Sequence, residues 1–195
     1  IFFVGLPAAG ALMMLAGPIL LTLFYHGHFQ LVDVEMSRCS LLAFAFGLPA
    51  FMLIKVLASA FYSRQDVATP VRVAAAALGL NVVGNFLLIH WLAHAGLALA
   101  TSVAAYANAA GLLFFLLQRG IYLMPVKLAW PVLRLACANG GLLFVLWYLK
   151  GPWSQWLMWS VSQRVWHLSG LIGLGGVVYF SLMWLLGWRA KELKV

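Results

Sequence analysis

Apolar residues run along this chain in long, nearly unbroken stretches separated by short polar segments. A helix crossing the roughly 30 Å hydrocarbon core of a bilayer needs about 20 such residues at 1.5 Å rise each. Six stretches qualify, spanning about 3–25, 40–61, 71–92, 95–117, 128–149 and 166–188. Their length, continuity and richness in Leu and Ala predict helices, because membrane strands run to only about 10 residues and alternate. The expected fold class is an all-α polytopic membrane protein with six transmembrane helices. Its connections are short: His26 to Arg38, Tyr62 to Pro70, a tight turn near His94, Arg119 to Lys127 and Lys150 to Arg164. None is long enough to act as a linker between domains.

Composition agrees with the pattern. The chain is 65% hydrophobic and 8% charged, against about 45–50% and about 25% in soluble domains, so it cannot cover a globular surface with polar groups. Disorder is excluded by the same content. The two cysteines, Cys39 and Cys137, fall in or beside predicted spans, where buried thiols are expected in place of a bridge or metal ligands.

The net charge of +8 takes its meaning from the spans. Six crossings put both ends on one side, together with Arg64, Arg72, Arg119, Lys127, Arg189, Lys191 and Lys194, and with Arg134 just inside the fifth span. The other side holds Arg38, Lys150 and Arg164 beside Asp33 and Glu35. Retention of Lys and Arg on the inner face makes both ends cytoplasmic. The basic residues form no stripe with interleaved aromatics, so membrane lipids and not nucleic acid are the expected partners. Ile1 opens directly into an apolar run without the basic start of a signal peptide. The chain is therefore expected to be the later part of a longer one, whose amino-terminal portion is missing.

Trp147, Tyr148, Trp153, Trp156, Trp159 and Trp166 cluster around the last outer loop, as in an aromatic belt. Trp153, Trp156 and Trp159 recur every third residue, which suits a short interfacial helix anchoring the fifth and sixth spans. Gly96, Ala100, Ala104 and Asn108 repeat every fourth residue, as do Ser169 and Gly173. Such ridges permit close helix packing or a sliding surface. Pro18 and Pro49 sit inside the first and second spans, where each removes a donor and predicts a kink, either static or a hinge.

Lys55 is the one full charge deep in a span, a placement costing about 2.5–3.5 kcal/mol. It lies about 9 Å from the boundary at Phe61, so its stem can snorkel to the surface, or it faces a cavity for an anionic ligand. Asn81 and Asn85 share a helix face, and with Asn108 they are read as interhelical polar groups. His90 and His94 have metal-ligand spacing, but a turn falls between them and no acidic or sulfur partner lies nearby. His26 and His28, near Asp33 and Glu35, fit a solvated loop or an outer acidic patch. No nucleophile–base pair, Walker loop or dinucleotide fingerprint is present, so no catalysis, metal or cofactor is expected.

The segment Lys55-Val-Leu-Ala-Ser-Ala-Phe61-Tyr62-Ser63-Arg64-Gln65-Asp66-Val-Ala-Thr69-Pro70-Val71 resembles the MurJ (MviN) family of lipid II flippases, which carry a phenylalanine-tyrosine, an aspartate and then threonine-proline in a cytoplasmic loop. Gly5-Leu6-Pro7 leading to Gly17-Pro18, Phe24-Tyr25-His26-Gly27-His28-Phe29, and His94-Ala95-Gly96-Leu97-Ala98-Leu99-Ala100 agree as well. The resemblance implies the carboxyl-terminal part of a fourteen-helix flippase of the MOP superfamily, with a MATE-like fold. Residues 1–125 would form four helices of its second lobe, and 126–195 the two final helices, which line a groove, with a basic tail. The implied activity is moving undecaprenyl-pyrophosphate-linked disaccharide pentapeptide, lipid II, to the outer leaflet of the bacterial cytoplasmic membrane by alternating access. Lys55 then becomes a substrate contact, and Arg64, Asp66, Thr69 and Pro70 a cytoplasmic loop or gate. A related exporter of polysaccharides or drugs would share the helical pattern, as would a non-transporting membrane scaffold.

Overall fold

The computed structural model describes residues 1–25, 28–120 and 129–187. His26, Gly27, Lys127 and the tail residues Arg189, Lys191, Glu192 and Lys194 lie outside the described residues. Helices α1 (Phe2–Leu23), α2 (Leu31–Tyr62), α3 (Ala68–Gln118), α4 (Ala129–Leu149), α5 (Trp153–Met158) and α6 (Val161–Leu185) follow one another along the chain. Five of them are long and apolar enough to cross a membrane.

The longest, α3, has 51 residues and one interruption, Ala93 at φ 45°, ψ −125°. The chain reverses there. Gly84 packs on Ala100 and Gly111 on Val73, a register that makes the two arms antiparallel. The reversal needs almost no loop because Gly96 lets the second arm approach very closely: a Cβ there would stand 2.5 Å from the Leu88 carbonyl oxygen. The third and fourth predicted spans are thus the two arms of α3, and the expected turn falls one residue before His94.

Boundaries differ where polar residues continue a helix beyond the apolar stretch. Helix α2 begins at Leu31, about nine residues before the span expected from hydropathy. Asp33 accepts from the backbone N–H of Gln30 at 2.9 Å, and Arg38 pairs with Glu35 one turn along. These contacts satisfy the first turns in water, and nothing obliges a helix to stop at the membrane surface. Helix α6 likewise starts early, at Val161. Ser160 accepts from the Gln163 N–H while the Gln163 side chain accepts from the Ser160 N–H, a capping box legible as Ser-x-x-Gln.

The described chain divides into two compact units, Ile1–Gly5 with Glu35–Met124, and Leu6–Val34 with Pro125–Val195. In the first, α2 runs parallel to the second arm of α3. The Ser102 hydroxyl donates to the Ala43 carbonyl at 2.6 Å, and Leu57 and Phe61 pack with Leu112 and Leu116 at the far end. In the second, α4 and α6 are antiparallel: Leu182 packs on Gly141, and Leu142 and Leu146 on Gly175. Most of α1 belongs to this second unit, so packing groups it with α4–α6, a grouping that differs from the division by chain order.

Three expectations are corrected by packing. Trp156 of α5 is not a belt residue, and its neighbours Trp153 and Trp159 are only partly exposed. Trp156 is fully buried and donates to the Lys150 carbonyl at 2.7 Å; Trp153 fills the notch at Gly17; and Trp159 stacks on His167 with ring centroids 4.1 Å apart. Trp147, Tyr148 and Trp166 do remain exposed. The helix is a wedge held by its rings, because burying an indole gains more contact than leaving it at a surface. The packed face of α6 is Arg164, Leu168, Leu171, Gly175, Tyr179 and Met183. Ser169 and Gly173 lie off that face and are exposed, since small residues pack only where the partner helix passes. Cys39 and Cys137 are exposed, not buried, as an apolar thiol tolerates a lipid-facing position equally well.

Candidate functional site

The parallel run of α2 and the second arm of α3 brings the ends of both helices, and the start of α3, to one place. Helix α2 closes with a Schellman motif: the Asp66 N–H donates to the Phe61 carbonyl at 3.1 Å and the Gln65 N–H to that of Tyr62 at 3.0 Å. Gln65 takes the left-handed conformation this requires, φ 60°. The turn delivers Asp66 to the start of α3, where one carboxylate oxygen accepts from the Thr69 N–H at 3.1 Å and the other from the Thr69 hydroxyl at 2.7 Å. Asp66 thus satisfies the first turn of α3 from the residue just before its N-cap, Val67. Pro70 follows in the first turn, where a missing N–H costs nothing, and both Thr69 and Pro70 are buried.

Arg119, at the end of the second arm, completes the junction. Its guanidinium donates to Asp66 and to the Thr69 hydroxyl, the latter at 2.9 Å, and lies over the buried Phe61 ring at 5.9 Å. Asp66 is held well below the ordinary carboxylate range, at about 2, first by the Thr69 hydroxyl, then by the Thr69 N–H and by Arg119. A depressed carboxylate contributes stability above its unfolded pKa and loses it as the pH falls toward the folded one. The mobility of a nitroxide spin label on a cysteine at the exposed Ala68, read from its EPR line shape, is thus expected to stay flat down to about pH 5 and to rise only between about pH 4 and 2. Asp66→Asn and Arg119→Gln should each raise that mobility at neutral pH. The double variant should be no worse than the worse single, since each acts through the other; independent effects would mean the two groups are not coupled.

Arg64 is exposed at the loop's outer edge, and Lys55 is exposed in α2. Lys55, Ser59 and Tyr62, all exposed, recur at helical spacing and form one polar strip along the last third of α2, leading to the loop. Ser59 is not among the residues marked by the sequence, and Tyr62 is marked there only by the phenylalanine-tyrosine motif, although the spacing from Lys55 carries the signal for both.

The asparagines separate. Asn81 accepts from the Thr101 hydroxyl across the hairpin, a long contact at 3.4 Å, and the same hydroxyl donates to the Leu97 carbonyl at 2.9 Å. The side-chain oxygens of Asn85 and Asn108 are buried and find no partner among the described residues. His90 and His94 are exposed, and among the described residues no three metal-ligating side chains come together.

Helix α1 is continuous through Pro18, and α2 through Pro49. Pro49 withholds the N–H that the Ala45 carbonyl would receive and crowds the turn before it. On that weakened side the Tyr106 hydroxyl donates to the Phe46 carbonyl at 2.9 Å, and Ser102 to that of Ala43. Removing this hydroxyl by Tyr106→Phe is expected to cost about 0.6–1 kcal/mol. The cost should shrink in a Pro49→Ala background, where the helix regains its own ladder. A double-mutant cycle on thermal melts measures the coupling, and equal costs in both backgrounds would separate Tyr106 from the proline.

A family model described as "Lipid II flippase MurJ" matches residues 1–167. The chain is 45% identical over 192 residues to a probable lipid II flippase MurJ of Vibrio cholerae, covering 98% of this chain and 37% of that protein. It is 38% identical over 193 residues to one of Haemophilus influenzae, covering 99% and 38%. A solved structure titled "Lipid II flippase MurJ, inward closed conformation" superposes with a TM-score of 0.75 at 24% identity, over 93% of this chain and 35% of that one, a likeness of fold. The chain spans little more than a third of the length of these relatives.

Proposed function

Because the chain belongs to the lipid II flippase MurJ family, we propose that it forms the carboxyl-terminal part of a flippase that carries undecaprenyl-pyrophosphate-linked peptidoglycan precursor across the bacterial cytoplasmic membrane. The family match over residues 1–167 is the observation that carries this reading. The helices themselves support it: they build a multi-pass membrane protein, and a lipid headgroup crossing a bilayer needs a polar path through such helices.

On this reading the Lys55–Ser59–Tyr62 strip faces the headgroup, and the Lys55 ammonium contacts the pyrophosphate. The junction of Asp66, Thr69 and Arg119, with Pro70 buried and Arg64 outermost, holds the cytoplasmic loop between α2 and α3 in one conformation. Asn81, Asn85 and Asn108 are the interhelical polar groups of the four-helix part, residues 1–125, Asn81 through its contact with Thr101 and the other two through buried oxygens open to a partner, while the last helices, 126–195, border the lipid tail. Pro18 and Pro49 are the bending points of alternating access. Both ends face the cytoplasm, in keeping with the concentration of Lys and Arg there. No covalent bond changes, so the work is transport and not catalysis, and the missing amino-terminal part supplies the rest of the cavity.

The test is rescue. A full-length gene containing this segment should restore growth and shape to cells depleted of their own lipid II flippase. Failure to rescue at normal membrane expression overturns the proposal.

A further inference from the structure

The first arm of α3 leaves an open slot against the second arm, about 420 Å³ in volume and almost wholly apolar. Ala76, Ala77, Ala107 and Gly111 carve it, since larger side chains would fill the space between the arms. Arg72 and Phe115 stand at its loop end. From Arg72 to Leu80 the slot runs about 12 Å at helical rise, most of the depth of one leaflet. Open along its length and lined by small apolar side chains, the slot admits an extended acyl chain between the arms.

The charge at its mouth is uncompensated. Arg72 is exposed and forms no ion pair among the described residues. The nearest carboxylate in the loop, Asp66, is already taken by Arg119 and Thr69. Arg72 lies one turn inside α3 from Thr69, at the depth where lipid phosphates stand if the loop lies in water. A guanidinium presents paired donors to a phosphate, and basic mouths between membrane helices favour anionic headgroups.

We propose that this slot binds an anionic phospholipid of the surrounding bilayer, with one acyl chain between the arms of α3 and the phosphate on Arg72. The proposal concerns a resident lipid and is independent of the transported substrate.

The experiment uses the purified full-length protein in detergent, stripped of lipid and titrated with phosphatidylglycerol or phosphatidylcholine, with bound lipid counted by native mass spectrometry. The wild type should prefer phosphatidylglycerol by roughly fivefold, the factor one basic side chain contributes near anionic headgroups. Arg72→Gln, an exposed change that leaves the fold intact, should abolish the preference while retaining weak binding of both lipids. Ala76→Leu should reduce binding of both by filling the slot. Absence of a preference in the wild type, or its survival in Arg72→Gln, overturns the proposal, as does unchanged binding in Ala76→Leu. Because no transport is measured, these outcomes are distinct from those of the rescue test.

Discussion

Replacing Arg164 by alanine is expected to destabilise the full-length protein by about 4 kcal/mol, the largest loss from any single charged side chain described. Arg164 is 5% exposed. Its Nε donates to the Trp156 carbonyl at 2.8 Å, and its two terminal nitrogens to those of Leu21 and Leu157, each at 3.2 Å. The guanidinium also lies over the Tyr25 ring at 5.2 Å. Leu21 is in the last turn of α1, and Trp156 and Leu157 are in α5, whose carbonyls lack enough helix to accept their own bonds. The negative ends of two helices therefore stand where a carboxylate would otherwise be.

Alanine leaves three carbonyls buried without this donor, and each charge-assisted bond is worth about 1.5–3 kcal/mol. Lysine restores the charge but cannot reach three carbonyls in a fork, so Arg164→Lys should recover only part of the loss. Arg38, half-exposed and paired with Glu35 one turn away, is the control: Arg38→Ala should cost no more than the about 1 kcal/mol of a surface ion pair. Thermal melts in detergent decide the matter. A melt for Arg164→Ala matching that of Arg38→Ala would show that water replaces the guanidinium and that the site is not sealed.

Lys55→Ala is expected to reduce lipid export roughly tenfold to a hundredfold without altering insertion or melting, if the ammonium contacts the pyrophosphate. A charge-assisted bond lost in a water-poor cavity is worth about 1.5–3 kcal/mol, which sets that range. Stability should not change, because Lys55 is exposed and none of the described hydrogen bonds or ion pairs uses its side chain. Lys55→Arg should keep most of the activity, the charge remaining within reach of a phosphate. Export is read from the labelled precursor that becomes accessible at the outer face of intact cells. Undiminished export by the alanine variant would mean that the side chain only stretches toward the headgroups, as its stem allows.

How much of the candidate site could be read beforehand depends on whether its parts are local. The Asp66-x-x-Thr69 cap and Pro70 in the following turn are local, so the segment announces itself. Arg119 is 53 residues from Asp66, and nothing in the residues around it distinguishes it from Arg64 or Arg72. It joins the junction only because α2 and the second arm of α3 run parallel and end together. The strip of Lys55, Ser59 and Tyr62 is local again, a matter of helical spacing. Tyr106 and Ser102 reach carbonyls of α2 some 60 and 59 residues away, a pairing of helices that no periodicity encodes.

The six apolar stretches alone determined that this protein is a bundle of membrane helices, because in hydrocarbon a chain must satisfy its own backbone and the length of each stretch is matched to the bilayer. Family character, too, was carried by short runs of residues around the α2–α3 loop. Which faces pack was decided only by tertiary structure. Lipid is as apolar as a leucine side chain, so hydrophobicity does not mark the buried side of a membrane helix. That is why Arg164, counted as a loop charge, proved to be a buried staple, and why Trp156 of α5, expected at a surface, proved to be part of the core.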